Sequence, residues 1–250
     1  MDLATSFGSV AQTYDRGRSK HAPEVLEYVL SLIDARTHVL DVGCGTGIAT
    51  RQLAERISSV YGCDTDEDMI RVARERHPSG IYSVAPAHNL SFASDMFGAV
   101  TAFSCFHWFC NNTSAQEIKR VLQPGGVFAV ISRSKKKEEG ALDYEHVIAK
   151  LRGTLFSYEQ SVEAVRARYN PLEVLTEAGF SAVSQRDFLI PQTVTLDQEL
   201  SHLATRSYFL AIPELERPEI LRKLEAHLKA EYSSGCITRV LDPFVVYGRK

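Results

Sequence analysis

No apolar run in this 250-residue chain approaches the about 20 residues that a helix needs to cross a bilayer, so no membrane span is expected. The start, Met1-Asp2-Leu3-Ala4-Thr5, lacks the basic and then apolar pattern of a secretory leader. Cysteine is sparse and unpaired. The five residues Cys44, Cys63, Cys105, Cys110 and Cys236 form no C-x-x-C pair, which excludes the close ligand pairs of a structural zinc site. Cys44, Cys63 and Cys105 fall in or beside apolar runs, where free thiols pack as small hydrophobes. A basic excess is also missing, since 28 Lys and Arg stand against 31 Asp and Glu, for a net charge of −3. Nucleic-acid binders usually carry the opposite balance. The densest basic run, Arg133-Ser134-Lys135-Lys136-Lys137, meets Glu138-Glu139 at once and reads as a solvated helix entry. These absences predict a soluble, reduced, cytoplasmic protein with neither a nucleic acid, a membrane nor a metal as partner.

What is present is ordinary globular composition, 44% hydrophobic and 24% charged, with no repeat or low-complexity linker. Strand-like runs alternate with helical patterns as far as residue 133, the signature of parallel βαβ units. Strands are expected at 37–41, 59–63, 81–84, 97–103 and 127–132. Helices are expected at 48–57, 66–77 and 114–122, with Asp66 as an N-cap and Pro78 as a stop. Gln123-Pro124-Gly125-Gly126 is a turn by composition. Beyond 133 the pattern predicts helices at 138–155, 170–178, 196–211 and 217–232, with strands at 182–190 and 244–248. The expected fold is α/β, a doubly wound, mostly parallel seven-stranded sheet. It forms one domain over residues 1–250, with a helical lid from 1–22, 138–170 and 195–232.

The chemistry concentrates first at Val39-Leu40-Asp41-Val42-Gly43-Cys44-Gly45-Thr46-Gly47, where a strand hands over to a helix. Glycines there let the backbone turn and approach a ligand closely, and the next helix offers its first N–H groups. A dinucleotide loop wants G-x-G-x-x-G. Counted from Gly43 the third small residue is replaced by Ile48, and the spacing is G-x-G-x-G behind the acid Asp41, so NAD is disfavoured. Asp64, 21 residues after Gly43, ends the second strand. A carboxylate there can accept the ribose hydroxyls of an adenosine.

The stretch from Val39 to Ile131 resembles the class I methyltransferases that use S-adenosyl-L-methionine (SAM). Within them it is similar to the small-molecule branch of trans-aconitate and malonyl-carrier-protein methyltransferases. Phe7, Tyr14-Asp15 and Arg18 resemble the N-terminal segment of that branch, and Leu122-Gln123-Pro124-Gly125-Gly126 its turn before the fifth strand. The resemblance implies SAM as cofactor, with Asp41, Gly43, Gly45 and Gly47 on its methionine side, Asp64 at the ribose and Met69 near adenine. Ala85-Pro86-Ala87-His88-Asn89-Leu90 departs from the branch, because Pro86 stands where an acid is expected at the adenine amino group. Proline supplies neither a side-chain acceptor nor an N–H, so adenine is expected against the backbone at Ala87.

Ser104-Cys105-Phe106-His107-Trp108-Phe109 follows the fourth strand, at the carboxyl ends where open α/β sheets bind ligands. Ser104 and Trp108 are therefore expected at the cofactor. Trp108 and Tyr14 also offer aromatic faces to a sulfonium cation. His107 is the general-base candidate and Tyr14 the second catalytic candidate. A carboxylate acceptor would need orientation rather than a base, which suits the bidentate fork of arginine. Arg16, Arg18, Arg133 and Arg206 are the candidates, with Arg18 and Arg206 preferred. The expected function is methyl transfer to a small-molecule acceptor, on a carboxylate oxygen. A non-catalytic SAM-binding or regulatory protein and a quinone-type C-methyltransferase are the alternatives. No D/N-P-P-Y/F segment or Pro-Cys nucleophile of nucleic-acid methyltransferases is present.

Overall fold

The computed structural model describes residues 11–133, 144–152, 169–210 and 212–250. Two helices, α1 (Ala11–Gly17) and α2 (Pro23–Ser31), precede the first strand. Then β1 (Val39–Val42), α3 (Ile48–Ala54), β2 (Val60–Asp64), α4 (Glu67–Arg76), β3 (Ile81–Val84), β4 (Phe97–Phe103), α5 (Asn112–Val121) and β5 (Leu122–Arg133) alternate. The later elements are α6 (Tyr144–Arg152), α7 (Pro171–Glu177), β6 (Ser181–Asp187), β7 (Ile190–Thr195), α8 (Leu196–Leu203), α9 (Ser207–Leu210), α10 (Arg217–Glu231), β8 (Cys236–Leu241) and β9 (Pro243–Arg249).

The main sheet has seven strands in the order β3-β2-β1-β4-β5-β9-β6. Its first five strands run parallel, and β9 lies antiparallel between β5 and β6. Because the parallel strands are covered on both sides, they read as continuous apolar runs. Leu40, Val42, Val100 and Phe128 pack with Ile118 and Val121 of α5 and Leu175 of α7 on one face. Val39, Ala99, Val127 and Ala129 pack with Val25 and Val29 of α2 and Leu53 of α3 on the other. The strand order reverses between β1 and β4, and that switch point opens the crevice in which such sheets bind ligands.

The expected seven-stranded, doubly wound sheet is present, with differences of detail. Asp66 does cap α4, accepting hydrogen bonds from the Asp68 and Met69 amides at 3.0 and 3.2 Å. The Pro124-Gly125-Gly126 turn is drawn into the sheet: β5 pairs from Leu122 onward, with a register shift opposite Phe97 and Ala99 and Gly125 at φ +76°. The single strand expected over 182–190 ends at Asp187, and a second one begins at Ile190. That second strand pairs antiparallel with β8 to make a separate two-stranded sheet absent from the sequence reading. The helix expected over 196–211 breaks after Leu203, where the Thr205 amide and hydroxyl both turn back onto the His202 carbonyl, at 3.1 and 2.7 Å. Of the helix expected over 138–155, residues 144–152 are described; the Phe7 segment lies outside the described residues.

Around the small sheet gather Val194, Leu196, Leu203, Leu228 and Ile237. Ile148, Phe209, Ile220 and Leu224 form a neighbouring cluster. This second layer meets the main domain where Gly17 of α1 crosses α8. A methyl group on Gly17 would run into the Ser201 carbonyl, so this crossing requires glycine.

Candidate active site

Asp41, Gly43, Gly45, Gly47, Asp64, Ala87, Ser104 and Trp108 fall at or after the carboxyl ends of β1 to β4, and Met69 lies in the first turn of α4. The loop after β1 turns through three glycines in the left-handed region, Gly43 (φ +70°), Gly45 (φ +53°) and Gly47 (φ +77°). A side chain at Gly43 would strike the Cys105 thiol, and one at Gly47 the Tyr82 hydroxyl, whereas above Gly45 the space is open. Gly45 is thus the point where a ligand can lie directly on the backbone.

Asp41 sits below this loop, fully buried. Its carboxylate accepts hydrogen bonds from the Thr50 hydroxyl of α3 (2.7 Å) and the Thr101 hydroxyl of β4 (3.1 Å). Burial pushes its acid up to about 7 against the pull of those two hydroxyls, with the Asp64 charge adding to the rise. The side chain therefore braces strand, helix and neighbouring strand beneath the loop.

Asp64 is half-buried at the end of β2. One oxygen accepts the Gly45 amide at 2.8 Å, the other the Asp66 amide at 3.0 Å. Burial holds its acid above the ordinary carboxylate range, opposed by these N–H donors. A carboxylate has about four lone-pair sites, so acceptor capacity remains for a ligand hydroxyl. The buried Thr46 hydroxyl, in the glycine loop just before α3, has no hydrogen-bond partner, an orphan where a polar ligand group would be met. Together, the open face of Gly45, the spare acceptors of Asp64 and the orphan Thr46 hydroxyl fit the methionine and ribose ends of SAM.

The remaining cofactor candidates are placed differently. Met69 is 4% exposed and packs with Ala11, Val72 and Tyr14, beneath α1 rather than on an open wall. Ala87 is buried in a turn closed by the Asn89 amide on the Pro86 carbonyl at 3.0 Å. Ser104 is exposed at the end of β4 with φ +57°, a conformation unusual outside glycine, and its amide donates to the Ile131 carbonyl at 2.8 Å. His107 and Trp108 lie half-buried in a single 3₁₀ turn, their rings 4.8 Å apart, and His107 meets the Tyr169 ring edge-on at 6.1 Å.

The first helix is tied by ions to the helices α3 and α4. Asp15 pairs with Arg51 of α3 at 2.8 Å and with Arg76 of α4 at 2.9 Å, and its own side chain is only 8% exposed. Arg51 also donates to the Thr46 carbonyl of the glycine loop at 2.7 Å. Tyr14, beside it, carries the Arg18 guanidinium over its ring at 4.7 Å.

Arg18 and Arg206 are brought together. Arg18 donates to the Thr205 carbonyl at 3.0 Å, and burial, with the charge of Arg206, draws its guanidinium below its ordinary value. His21 stacks at a tilt on Phe103 at 4.7 Å; burial, then Arg133 and Arg18, lower its imidazole to about 4. Burial and then Arg206, Arg18, Arg133 and Arg239 hold His202 well below the usual imidazole range. Arg133 ends β5 on the same side, while Arg16 is exposed and donates only to Gln12 of its own helix. Sequence reasoning missed His202, Asp15 as an ion-pair hub, and the two threonines on Asp41. The helix breaks after Leu203, between His202 and Arg206, so their four-residue spacing gave no usable signal.

Residues 40–130 match a family model described as a methyltransferase domain. An uncharacterized methyltransferase of Mycobacterium tuberculosis is 27% identical over 223 residues, covering 89% of this chain and 85% of that protein. The malonyl-[acyl-carrier protein] O-methyltransferase of Salmonella typhimurium is 31% identical over 132 residues, about half of each chain (51% and 51%). A solved protein of Anaeromyxobacter dehalogenans, titled a candidate type II methyltransferase, superposes with a TM-score of 0.64 at 25% identity, covering 93% of this chain and 97% of its own. With its seven-stranded sheet, its G-x-G-x-G loop and these relatives, the chain is a methyltransferase of the class I fold that uses S-adenosyl-L-methionine as its cofactor.

Proposed function

We propose that the protein methylates a carboxylate oxygen of a small-molecule acceptor. The observation that carries this reading is the meeting of Arg18 and Arg206 on one joint beside the crevice, with no ion pair from either to a carboxylate among the described residues. Neighbouring guanidiniums repel each other, and an anion between them relieves that repulsion. The malonyl-carrier-protein methyltransferase named above supports the choice of a carboxyl oxygen.

Bound SAM supplies a methyl group made electrophilic by positive sulfur. In this reading Gly45 and Thr46 hold its methionine end and Asp64 its ribose, while Asp41 keeps the loop in place through Thr50 and Thr101. The half-buried rings of His107 and Trp108 wall the crevice and exclude water. The α1 segment and the described residues of 195–232 close over it as a lid. An acceptor carboxylate already carries its lone pair, so no proton has to leave and His107 acts as a wall rather than a base. Positioning then contributes most of the rate, worth up to about 7–11 kcal/mol in favourable cases.

The test is a mass-spectrometric screen of di- and tricarboxylic acids incubated with the protein and methyl-labelled SAM. Ester products support the reading. Methyl groups found only on nitrogen, carbon or phenolic oxygen overturn it.

A further inference from the structure

Three nitrogen atoms at the joint of α1 with residues 202–206 stand out. Arg18 Nε, Arg206 Nε and His202 Nε2 are each shielded from solvent and have no hydrogen-bond partner. Buried donors are almost always satisfied, and leaving one unmade costs about 1–3 kcal/mol, so three in one neighbourhood indicate a place built for a ligand. The joint itself is well fastened. Arg18 holds the Thr205 carbonyl at 3.0 Å, Thr205 turns back onto the His202 carbonyl, and Gly17 lets α1 lie directly on the Ser201 carbonyl. The backbone that carries the unmet nitrogens is therefore fixed rather than loosely packed.

The charge around them has one sign. The Arg206 charge acts on Arg18, and both act on His202 together with Arg133 and Arg239. Arg239 is already matched by Glu199, a buried ion pair at 2.9 Å. Among the described residues no carboxylate pairs with Arg18 or Arg206. His202 is kept neutral, so it adds no further positive charge, and its Nε2 can carry the ring N–H toward a ligand.

We propose that Arg18, Arg206 and His202 form a cradle for an anionic group of the acceptor other than the one that is methylated, so that the acceptor bears at least two anionic groups. This rests on the proposed carboxylate methylation and refines it. An oxygen whose lone pairs are engaged by two guanidiniums and an imidazole is a poor nucleophile. It would also lose its charge on methylation and, with it, its hold on the site. The reacting carboxylate must keep a free lone pair. That pair forms the new O–CH₃ bond as the sulfur–carbon bond breaks and its electrons stay on sulfur, with no proton moved. The handle keeps its charge throughout, and it serves equally as a second carboxylate or a phosphate ester, since both offer oxygens to these donors.

The experiment is calorimetric titration of the full chain, saturated with S-adenosylhomocysteine, using succinate, tricarballylate, inorganic phosphate and acetate at constant ionic strength. The expected result is binding of succinate or tricarballylate at least about tenfold tighter than acetate. Arg206→Gln and His202→Gln should each weaken it by about tenfold or more, and Arg206→Lys should restore part of it. Binding of phosphate but neither polycarboxylate supports the cradle and assigns the handle to a phosphate ester. Acetate binding as tightly as succinate overturns the proposal and leaves carboxylate methylation standing, as does succinate binding unchanged in a folded Arg206→Gln variant. No binding of any anion by the wild type also overturns it. Labelled methyl groups found only on nitrogen or carbon would instead remove the carboxylate reading, whatever the titration gives.

Discussion

Replacing Asp64 by asparagine separates two tasks of a single carboxylate. Asp64 fixes the glycine loop by accepting the Gly45 amide at 2.8 Å and the start of α4 by accepting the Asp66 amide at 3.0 Å. Asparagine is nearly isosteric but has one acceptor oxygen, so one of those amides meets an NH₂ group instead. Losing a hydrogen bond to a charged group costs about 1.5–3 kcal/mol. For a chain of this size about 2 kcal/mol lowers Tm by roughly 4–8 °C. The second task is the ribose: losing one charge-assisted bond there should weaken SAM roughly ten- to a hundredfold. Scanning fluorimetry reads the first loss and calorimetric titration with S-adenosylhomocysteine the second. A variant that melts lower but binds S-adenosylhomocysteine as tightly as the wild type would refute the ribose assignment and leave Asp64 as a loop brace only.

Asp15→Asn removes the charge that joins α1 to Arg51 and Arg76. It should destabilise the protein by about 1–3 kcal/mol in chemical denaturation, the partly exposed arginines softening the loss of a buried partner. SAM affinity should fall as well, because Arg51 also holds the Thr46 carbonyl. Gly17→Ala should detach α1 from α8 by collision with the Ser201 carbonyl, seen as faster proteolysis near residue 17 and weaker anion binding. His21 gives a pH test. Its imidazole falls from 6.5 to about 4 on folding, so it costs nothing above pH 6.5 and destabilises increasingly as pH drops to 4, by up to about 3 kcal/mol. His21→Gln lacks this titration, so its stability relative to the wild type should rise over that range. A constant difference between the two proteins would show that His21 titrates normally.

The main sheet was legible because buried parallel strands are apolar throughout and are punctuated by glycine and proline. Leu40, Val100 and Phe128 announce themselves in this way. The two-stranded sheet was hidden because Ile190–Thr195 abuts α8 without a break: Thr195 is at once the last strand residue and the cap of the helix, bonded to the Gln198 amide at 3.2 Å. The glycine loop and Asp64 were legible because spacing alone sets their chemistry. The partners of Asp41 were not, since Thr101 lies 60 residues away and reaches it only through strand pairing. The same holds for the cradle. Arg18 and Arg206 could be listed as separate arginines, but their meeting across 187 residues, between Arg18 and Thr205, depends on the fold. His202 carried no individual signal, and only burial among arginines sets it apart.

The most direct test of the central claim follows the methyl group itself. The protein is incubated with methyl-labelled SAM and a mixture of small di- and tricarboxylic acids, and the products are treated with mild alkali. Carboxylate methyl esters hydrolyse under those conditions, so the account predicts that the label appears in released methanol and that Arg206→Gln strongly reduces the yield. Label retained in alkali-stable products, on nitrogen or carbon, would contradict it.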